Sequence, residues 1–343
     1  MIDIVIPNYN GVALLEVCLS SIYAQSYKNW RIILVDNGST DDSVSYLRQH
    51  YPEVRLLALP ENTGFSAAVN QGIEAGDAPL VLLLNNDTEL AVDCLQQLVD
   101  AAVHWPADFF AAKMLNYHQR HLLDGAGEGY LRGGAGYRLG TMEADGDRYN
   151  LSRQVFGACG GAALYRRQTL VNVGLFDPDF FAYLEDVDWN LRAARLGKVC
   201  HYVAEARIYH IGSATTGSKF NAFTIRLSTR NSFFVLARNY SARLLWRYSI
   251  IILIYQFFWL LFVLKKKQLG PYCQGLAEAA TGWLSMRRKY RQGLGTTEIG
   301  PGLLRKTLRQ AEDEAICSIM RRRSAAGKGN WLLQAYQRLF LRP

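Results

Sequence analysis

Hydrophobic positions along the first hundred residues alternate between two regimes. Ile2-Asp3-Ile4-Val5-Ile6 reads as a buried strand that Pro7 ends, and Leu14, Leu15, Cys18, Leu19 and Ile22 repeat at helical spacing over residues 12–25. Residues 31–35 form a second apolar strand ending at Asp36. A helix over 41–50 follows, with Thr40 as its cap. Residues 54–59 read as a short third strand, 67–75 as a helix, 80–84 as a wholly apolar fourth strand and 92–103 as a helix. Strands alternating with helices predict a mostly parallel sheet. Continuous apolar strands predict that both of its faces are covered.

Polar residues gather directly after three of these strands, as Pro7-Asn8-Tyr9-Asn10, Asp36-Asn37-Gly38-Ser39 and Asn85-Asn86-Asp87. Ligands of open α/β sheets bind beyond the carboxyl ends of the strands, so the three clusters are expected to line one crevice. From 107 to 155 the pattern loosens, and the glycine-rich run 125–140 predicts loops or hairpins. Residues 157–165 form a small-residue turn leading into a strand. A helix is predicted over 187–196, then short strands or extended segments over 198–204 and 206–210.

The acidic tract before that helix is the densest chemical feature. Glu185, Asp186 and Asp188 fall within four positions, flanked by Phe180, Phe181, Tyr183 and Trp189. Carboxylates so close repel one another, which suits holding a cation, binding polar groups or moving a proton. An acidic first turn of a helix is the plainer reading. Asp36 fits either a turn that caps the next helix or a carboxylate that binds a nucleobase or ribose. Asp87, with the amide oxygens of Asn85 and Asn86, has the oxygen ligands that Mg²⁺ or Mn²⁺ takes, and a diphosphate would complete the shell. His210, 24 residues after Asp186, gains meaning only beside such a metal site.

Charge divides the 343-residue chain. Residues 241–343 carry 18 Lys and Arg against 5 Asp and Glu, whereas residues 1–240 carry 20 against 25. The C-terminal part therefore points to a partner of its own, an anionic membrane surface or a nucleic acid. Residues 248–264 are 17 uncharged positions between Arg247 and Lys265-Lys266-Lys267. That length is at the lower limit for a membrane span. We expect a helix lying in the membrane interface or packed on a partner, with a buried core helix as the alternative. The apolar run beside the charge suits lipid better than nucleic acid. Six scattered cysteines without a Cys-x-x-Cys pair indicate neither a zinc site nor a disulfide framework, and fit a reducing compartment. No signal peptide is visible.

The motifs Ile6-Pro7-Asn8-Tyr9-Asn10, Val35-Asp36-Asn37-Gly38-Ser39-Thr40-Asp41, Asn62-Thr63-Gly64-Phe65 with Asn70, Asn85-Asn86-Asp87 and Glu185–Trp189 occur in one order. Together they resemble glycosyltransferase family 2, and most of all its bacterial rhamnosyltransferases and galactofuranosyltransferases, over about residues 1–235. The resemblance implies an α/β GT-A (Rossmann-like) fold, with a mostly parallel sheet flanked by helices. Residues 1–240 would be the catalytic domain, and 241–343 a helical, membrane-associating extension. It implies an inverting, metal-dependent, non-processive transfer of a sugar, rhamnose from dTDP-rhamnose first, to a saccharide acceptor. That acceptor would be lipid-linked, at the cytoplasmic face of a bacterial inner membrane. Homo-oligomerisation stays open.

Residue by residue, Pro7 and Tyr9 would line the nucleobase pocket and Asp36 would bind the base edge. Asn62, Gly64, Asn70 and Asn86 would shape the donor site. Asp87 and His210 would hold Mg²⁺ or Mn²⁺. Asp186 would be the catalytic base, with Gly160, Glu185, Asp188 and Trp189 beside the acceptor. Asn85 departs from the family's metal motif, where many members carry Asp. This weakens metal affinity or leaves that contact to an amide oxygen. Two readings compete: a sugar-nucleotide nucleotidyltransferase, and a non-enzymatic nucleotide- or nucleic-acid-binding protein. The loop after the first strand lacks the Lys or Arg that nucleotidyltransferases carry there.

Overall fold

The computed structural model describes residues 1–212, 221–293 and 298–342. The N-terminal half runs β1 (Ile2–Asn8), α1 (Val12–Tyr23), β2 (Trp30–Asp36), α2 (Ser43–His50), β3 (Arg55–Ala58), α3 (Phe65–Ala75), β4 (Leu80–Leu84), β5 (Thr88–Leu90) and α4 (Cys94–His104). Next come β6 (Phe109–Asn116), β7 (Leu123–Ala126), β8 (Glu128–Leu131), β9 (Ala135–Arg138), β10 (Arg153–Val155), β11 (Ala162–Arg166), α5 (Arg167–Val173), α6 (Glu185–Arg195) and β12 (Cys200–His210). The chain ends in helices α7 (Ala222–Asn239), α8 (Ala242–Arg247), α9 (Ser249–Lys265), α10 (Leu269–Gln292), α11 (Pro301–Ala325) and α12 (Trp331–Phe340).

The main sheet has the order β10-β12-β6-β11-β4-β1-β2-β3, with β5 beside β12 and β7 beside β6. Pairing is parallel across β4, β1, β2 and β3 and again between β6 and β12, while β11 runs antiparallel between β4 and β6. Alternate side chains of one strand feed opposite faces. Ile2, Ile4 and Ile6 join the core under α1 and α4, and Val5 joins the core under α3 and α6. Burial on both faces explains why these strands read as unbroken apolar runs.

Several local expectations change. The segments expected over 198–204 and 206–210 form the single strand β12, which starts at Cys200 and has an irregularity between Val203 and Arg207. Thr40 does not cap α2. The helix starts two residues later, and the Thr40 amide instead donates to Asn10 Oδ1 at 2.7 Å. The glycine-rich run is ordered as β7 and the β8–β9 hairpin, which sequence periodicity does not reveal because each strand has only four residues.

Helices α10 and α11 pack onto the part before residue 240. A Cβ on Gly275 would lie 2.4 Å from the Arg226 carbonyl, so α10 and α7 approach at backbone distance. Helix α11 lies on the β8–β9 hairpin, where a Cβ on Gly129 would be 3.1 Å from Ala315 Cβ. Glu312 of α11 pairs with Arg132 at the hairpin turn, both deeply buried. By contrast α9 buries only Ile251 and Val263. Among the described residues no helix is long and apolar enough to cross a membrane.

Candidate active site

The strand order reverses at β1, which has β2 on one side and β4 on the other, and such a switch point opens a crevice at the strand tips. Three polar clusters meet there. Asn86 Nδ2 donates to Asn8 Oδ1 at 2.7 Å, and Asn8 Nδ2 donates to Asp36 Oδ1 at 2.9 Å. The other Asp36 oxygen accepts the Ser39 amide at 3.0 Å. Asp36 is therefore buried and organises its own turn, so its carboxylate is not open to a base edge in this conformation. Pro7 and Tyr9 flank it, half exposed. Asn62 Oδ1 accepts the Gly64 amide at 2.9 Å and the Asn37 side chain at 3.0 Å, which fixes the loop that enters α3.

Gly64 has a φ of 87°, and a Cβ there would fall 2.6 Å from the Phe181 carbonyl. Glycine is needed because the segment leading to the acidic tract passes so close. That segment is itself unusual. Phe181, Tyr183 and Leu184 all have φ between 63° and 68°, a positive-φ backbone costly for side chains of this size. Asn231 of α7, fully buried, holds it by donating to the carbonyls of Phe180, Ala182 and Tyr183 at 3.0, 2.9 and 2.6 Å.

The clamped segment delivers Asp186 to the second position of α6. Its Oδ2 accepts the Gly160 amide at 3.1 Å, and its Oδ1 accepts the Val187 amide at 2.8 Å. Gly161 then joins this carboxylate to the tip of β4. Its carbonyl accepts the Asn85 amide at 2.9 Å, and a Cβ on it would sit 2.7 Å from the Asn85 side chain. Burial raises the Asp186 carboxyl above its ordinary range, against the two amides and Arg138, which lower it. Burial, then the neighbouring Asp186, pushes Glu185 well up. Its Oε2 has no hydrogen-bond partner among the described residues. The tract thus contains two carboxyls held towards the neutral form.

Asp188 behaves in the opposite way. It lies about 200° round the helix from Asp186. Burial raises its carboxyl, but Arg192, Arg238 and Asn239 outweigh that and hold it below the usual range. Asn239 Nδ2 donates to it at 2.7 Å and Arg192 Nε at 2.8 Å. Asp188 therefore anchors α6 to α7 and does not face an acceptor. Trp189 is likewise core. Its indole donates to the Gly174 carbonyl at 2.8 Å, and its ring packs on Phe109, Tyr165 and Phe176. Asn70 reaches away from the donor crevice, clasping Phe176 through its amide at 3.0 Å and its carbonyl at 2.7 Å. The flanking aromatics of the tract reflect packing, which sequence alone does not distinguish from sugar stacking.

Antiparallel pairing of β12 with β5 sets His210 opposite Thr88 and so beside Asp87. His210 Nε2 lies 3.3 Å from Asp87 Oδ1, and Nδ1 lies 2.7 Å from Asp124 Oδ2. Burial favours the neutral ring, but contacts with Asp124 and Asp87 outweigh it and raise the group to about 9. Asp87 Oδ1 is buried, and apart from the His210 Nε2 contact no group donates to it among the described residues. That carboxylate oxygen and the Nε2 facing it fit a divalent cation, which would take the place of the Nε2 proton. Among the described residues no group of three or more acidic, His or Cys side chains forms a metal cage, so further ligands would come from a bound diphosphate. Asp124, Glu128, Arg138 and Asn190 all lie in this neighbourhood and escaped sequence reading. The available signal was Asp124 at the edge of the glycine-rich run with Glu128 and Arg138 inside it.

Comparison with known proteins agrees with this geometry. The profile of "Glycosyl transferase family 2" matches residues 3–174. The N-acetylglucosaminyl-diphospho-decaprenol L-rhamnosyltransferase of Mycobacterium tuberculosis is 30% identical over 239 residues, covering 63% of this chain and 78% of that protein. GalNAc-T7, solved with UDP, GalNAc and Mn²⁺, superposes with a TM-score of 0.54 at 14% identity, over 69% of this chain and 50% of its own. The Pyrobaculum calidifontis mannosyltransferase PcManGT, solved with GDP-Man and Mn²⁺, superposes with a TM-score of 0.50 at 15% identity, over 94% of this chain and 86% of its own. These structures share the GT-A fold. The chain belongs to glycosyl transferase family 2 and is a glycosyltransferase of GT-A fold that resembles the bacterial rhamnosyltransferases.

Proposed function

We propose that the chain transfers a single sugar, rhamnose from dTDP-rhamnose, to a lipid-linked saccharide with inversion at the anomeric carbon. The observation that carries this reading is the tie between Asp186 and the β4 tip through Gly160 and Gly161. It sets a buried, proton-accepting carboxylate beside the loop that would hold the donor diphosphate. A sugar hydroxyl is a weak nucleophile until a base takes its proton in the transition state. The Asp186 carboxylate takes that proton, and the burial that raises it above the ordinary carboxylate range makes it a stronger base. Attack from the side opposite the leaving group inverts the sugar.

Asp87 and His210 would hold Mg²⁺ or Mn²⁺. When bound, the cation offsets the charge that develops on the departing nucleoside diphosphate. Pro7 and Tyr9 border the nucleobase, and Asn86 holds Asn8 and the β1 tip in place. Gly160 positions the base, and beside it burial favours the protonated form of Glu185, which can donate to the acceptor. The choice of rhamnose and of a polyprenyl-linked acceptor follows the mycobacterial relative.

The extension would hold the enzyme on the cytoplasmic face of the inner membrane. Helix α9 exposes Leu253, Phe257, Phe258, Leu261 and Leu264, followed by the exposed Lys265, Lys266 and Lys267. Apolar side chains next to clustered lysines match the interface of an anionic bilayer. The test combines the full-length chain, Mn²⁺, a panel of nucleotide sugars and polyprenyl-diphosphate-linked N-acetylglucosamine, read by mass spectrometry. One added deoxyhexose, lost with EDTA and regained with Mn²⁺, is the expected product. Transfer that persists in EDTA removes the metal from the account, and transfer of another sugar alone removes rhamnose.

A further inference from the structure

The part of the chain that reads as glycine-rich loops delivers three ionisable side chains between the two halves of the site. Asp124 of β7 is buried and meets His210 Nδ1 at 2.7 Å. Arg138 of β9 donates through Nη1 to the same Asp124 oxygen. Across the hairpin, Arg138 stands in register with Glu128 of β8. Glu128 in turn accepts Asn190 Nδ2 at 2.9 Å, and Asn190 lies one helical turn after Asp186. The seat is tailored for this. A Cβ on Gly136 would fall 2.8 Å from Glu128 Oε1, and one on Gly157 would fall 2.4 Å from the Asn190 side chain.

We propose that Arg138 is a positioning residue that joins the two halves of the site: through Asp124 it fixes the ring of His210, and its charge faces Glu128 and Asp186. An imidazole whose Nδ1 is tied to a carboxylate presents Nε2 in one orientation, and such outer partners typically set ligand strength. A planar guanidinium can serve the Asp124 oxygen and face Glu128 together, because its donors form a rigid fork. Among the described residues, the charged and titratable groups around Asp186 are Glu185 on its own helix, Glu128 on β8, Arg138 on β9, Cys159 before β11 and Tyr165 on β11. Of these Arg138 is the cation. Two buried carboxyls and a base would otherwise share one desolvated space, and all three would move towards the protonated form. The inference rests on the glycosyl-transfer reading in taking Asp186 as the base.

The test uses the full-length chain and its Arg138→Gln, Arg138→Lys and Asp124→Asn variants. Two quantities are read: the acid limb of kcat/KM against pH, and the affinity for dTDP and UDP with and without Mn²⁺ by calorimetry. Arg138→Gln is expected to move the acid limb up by about 1 pH unit, the scale of losing one opposite charge. It should also weaken the Mn²⁺-dependent part of nucleotide affinity by about 10-fold. Asp124→Asn should show the second effect without the first. Arg138→Lys should recover most of the acid-limb shift and leave Mn²⁺-dependent affinity weakened, because one ammonium does not reproduce the fork. An unmoved acid limb in Arg138→Gln, or wild-type Mn²⁺-dependent affinity in Asp124→Asn, overturns the inference. If Arg138→Gln does not fold, Arg138→Lys and Asp124→Asn decide it by the same readings. The calorimetry does not depend on finding the right sugar, so failure of the proposed reaction and failure of this role for Arg138 are told apart.

Discussion

Replacing Glu312 by Leu tests whether the basic C-terminal helices are part of the catalytic fold. Glu312 Oε1 accepts the Arg132 amide at 3.0 Å and the Tyr336 hydroxyl at 2.9 Å, and Oε2 accepts Arg132 Nε. Both charged side chains are at most 5% exposed. Removing the carboxylate leaves a guanidinium buried against the Tyr248 ring, with the Phe340 carbonyl as its remaining hydrogen-bond acceptor among the described residues. Breaking a buried pair from one side costs about 3–5 kcal/mol, because the surviving charge keeps its desolvation cost. Total stabilities of about 5–15 kcal/mol make that a large fraction. Urea unfolding followed by tryptophan fluorescence should show the loss. The double change Glu312→Leu with Arg132→Leu should recover most of it, since neither charge then stays buried. A single-variant cost under about 1 kcal/mol, within the range of an exposed ion pair, would refute the reasoning. It would also leave residues 1–240 as a unit that folds without the extension. The α11 packing on the hairpin argues the reverse, that a chain ending at 240 exposes core surface.

Three further outcomes follow from the site and the extension. Asn231→Ala removes the contacts of Nδ2 with the Phe180, Ala182 and Tyr183 carbonyls that hold the segment leading to Asp186. It should lower stability by about 1–3 kcal/mol and cut kcat, measured by thermal melts and initial rates, because the segment aims Asp186. Burial pushes the Glu185 carboxyl towards the protonated form that Glu185→Gln mimics, so kcat should stay within about 10-fold of wild type. A loss of about 10²-fold or more would make Glu185 the base instead. Phe257→Glu with Leu261→Glu should abolish sedimentation with anionic liposomes at low salt and leave melting unchanged, since both side chains are exposed. A monomer formed from a wild-type dimer by the same change would instead assign the α9 face to a second copy of the chain.

The parallel half of the sheet was legible because its strands are buried on both faces and punctuated by polar tips. Asp186 and Asp87 stood out because they lie in a dense acidic tract and at a strand tip, whereas the roles proposed for them and for His210 came from the family resemblance. What stayed hidden has physical causes. Strand β11 is antiparallel, yet its five residues look like any apolar run. Strands of four residues are too short to show a period, so the hairpin carrying Glu128 and Arg138 read as loops. Asp188 and Trp189 share the acidic tract with Asp186, but α6 turns them away from the crevice. Asn70 looked like a donor-site amide because sequence does not show that Phe176 lies under it, 106 residues later. Helix α9 was correctly read as apolar. Only the structure shows that Ile250, Leu253, Phe257, Phe258, Leu261 and Leu264 are exposed among the described residues.

The central claim is that Asp186 accepts the proton of the acceptor hydroxyl. The most direct measurement compares wild type and Asp186→Asn by single-turnover transfer, with donor affinity measured separately by calorimetry. Asn keeps the side chain's size and can still accept the Gly160 amide, but it does not take a proton. The account predicts unchanged donor affinity and a transfer rate lower by about 10²-fold or more. A transfer rate near wild type, with donor affinity intact, would contradict it.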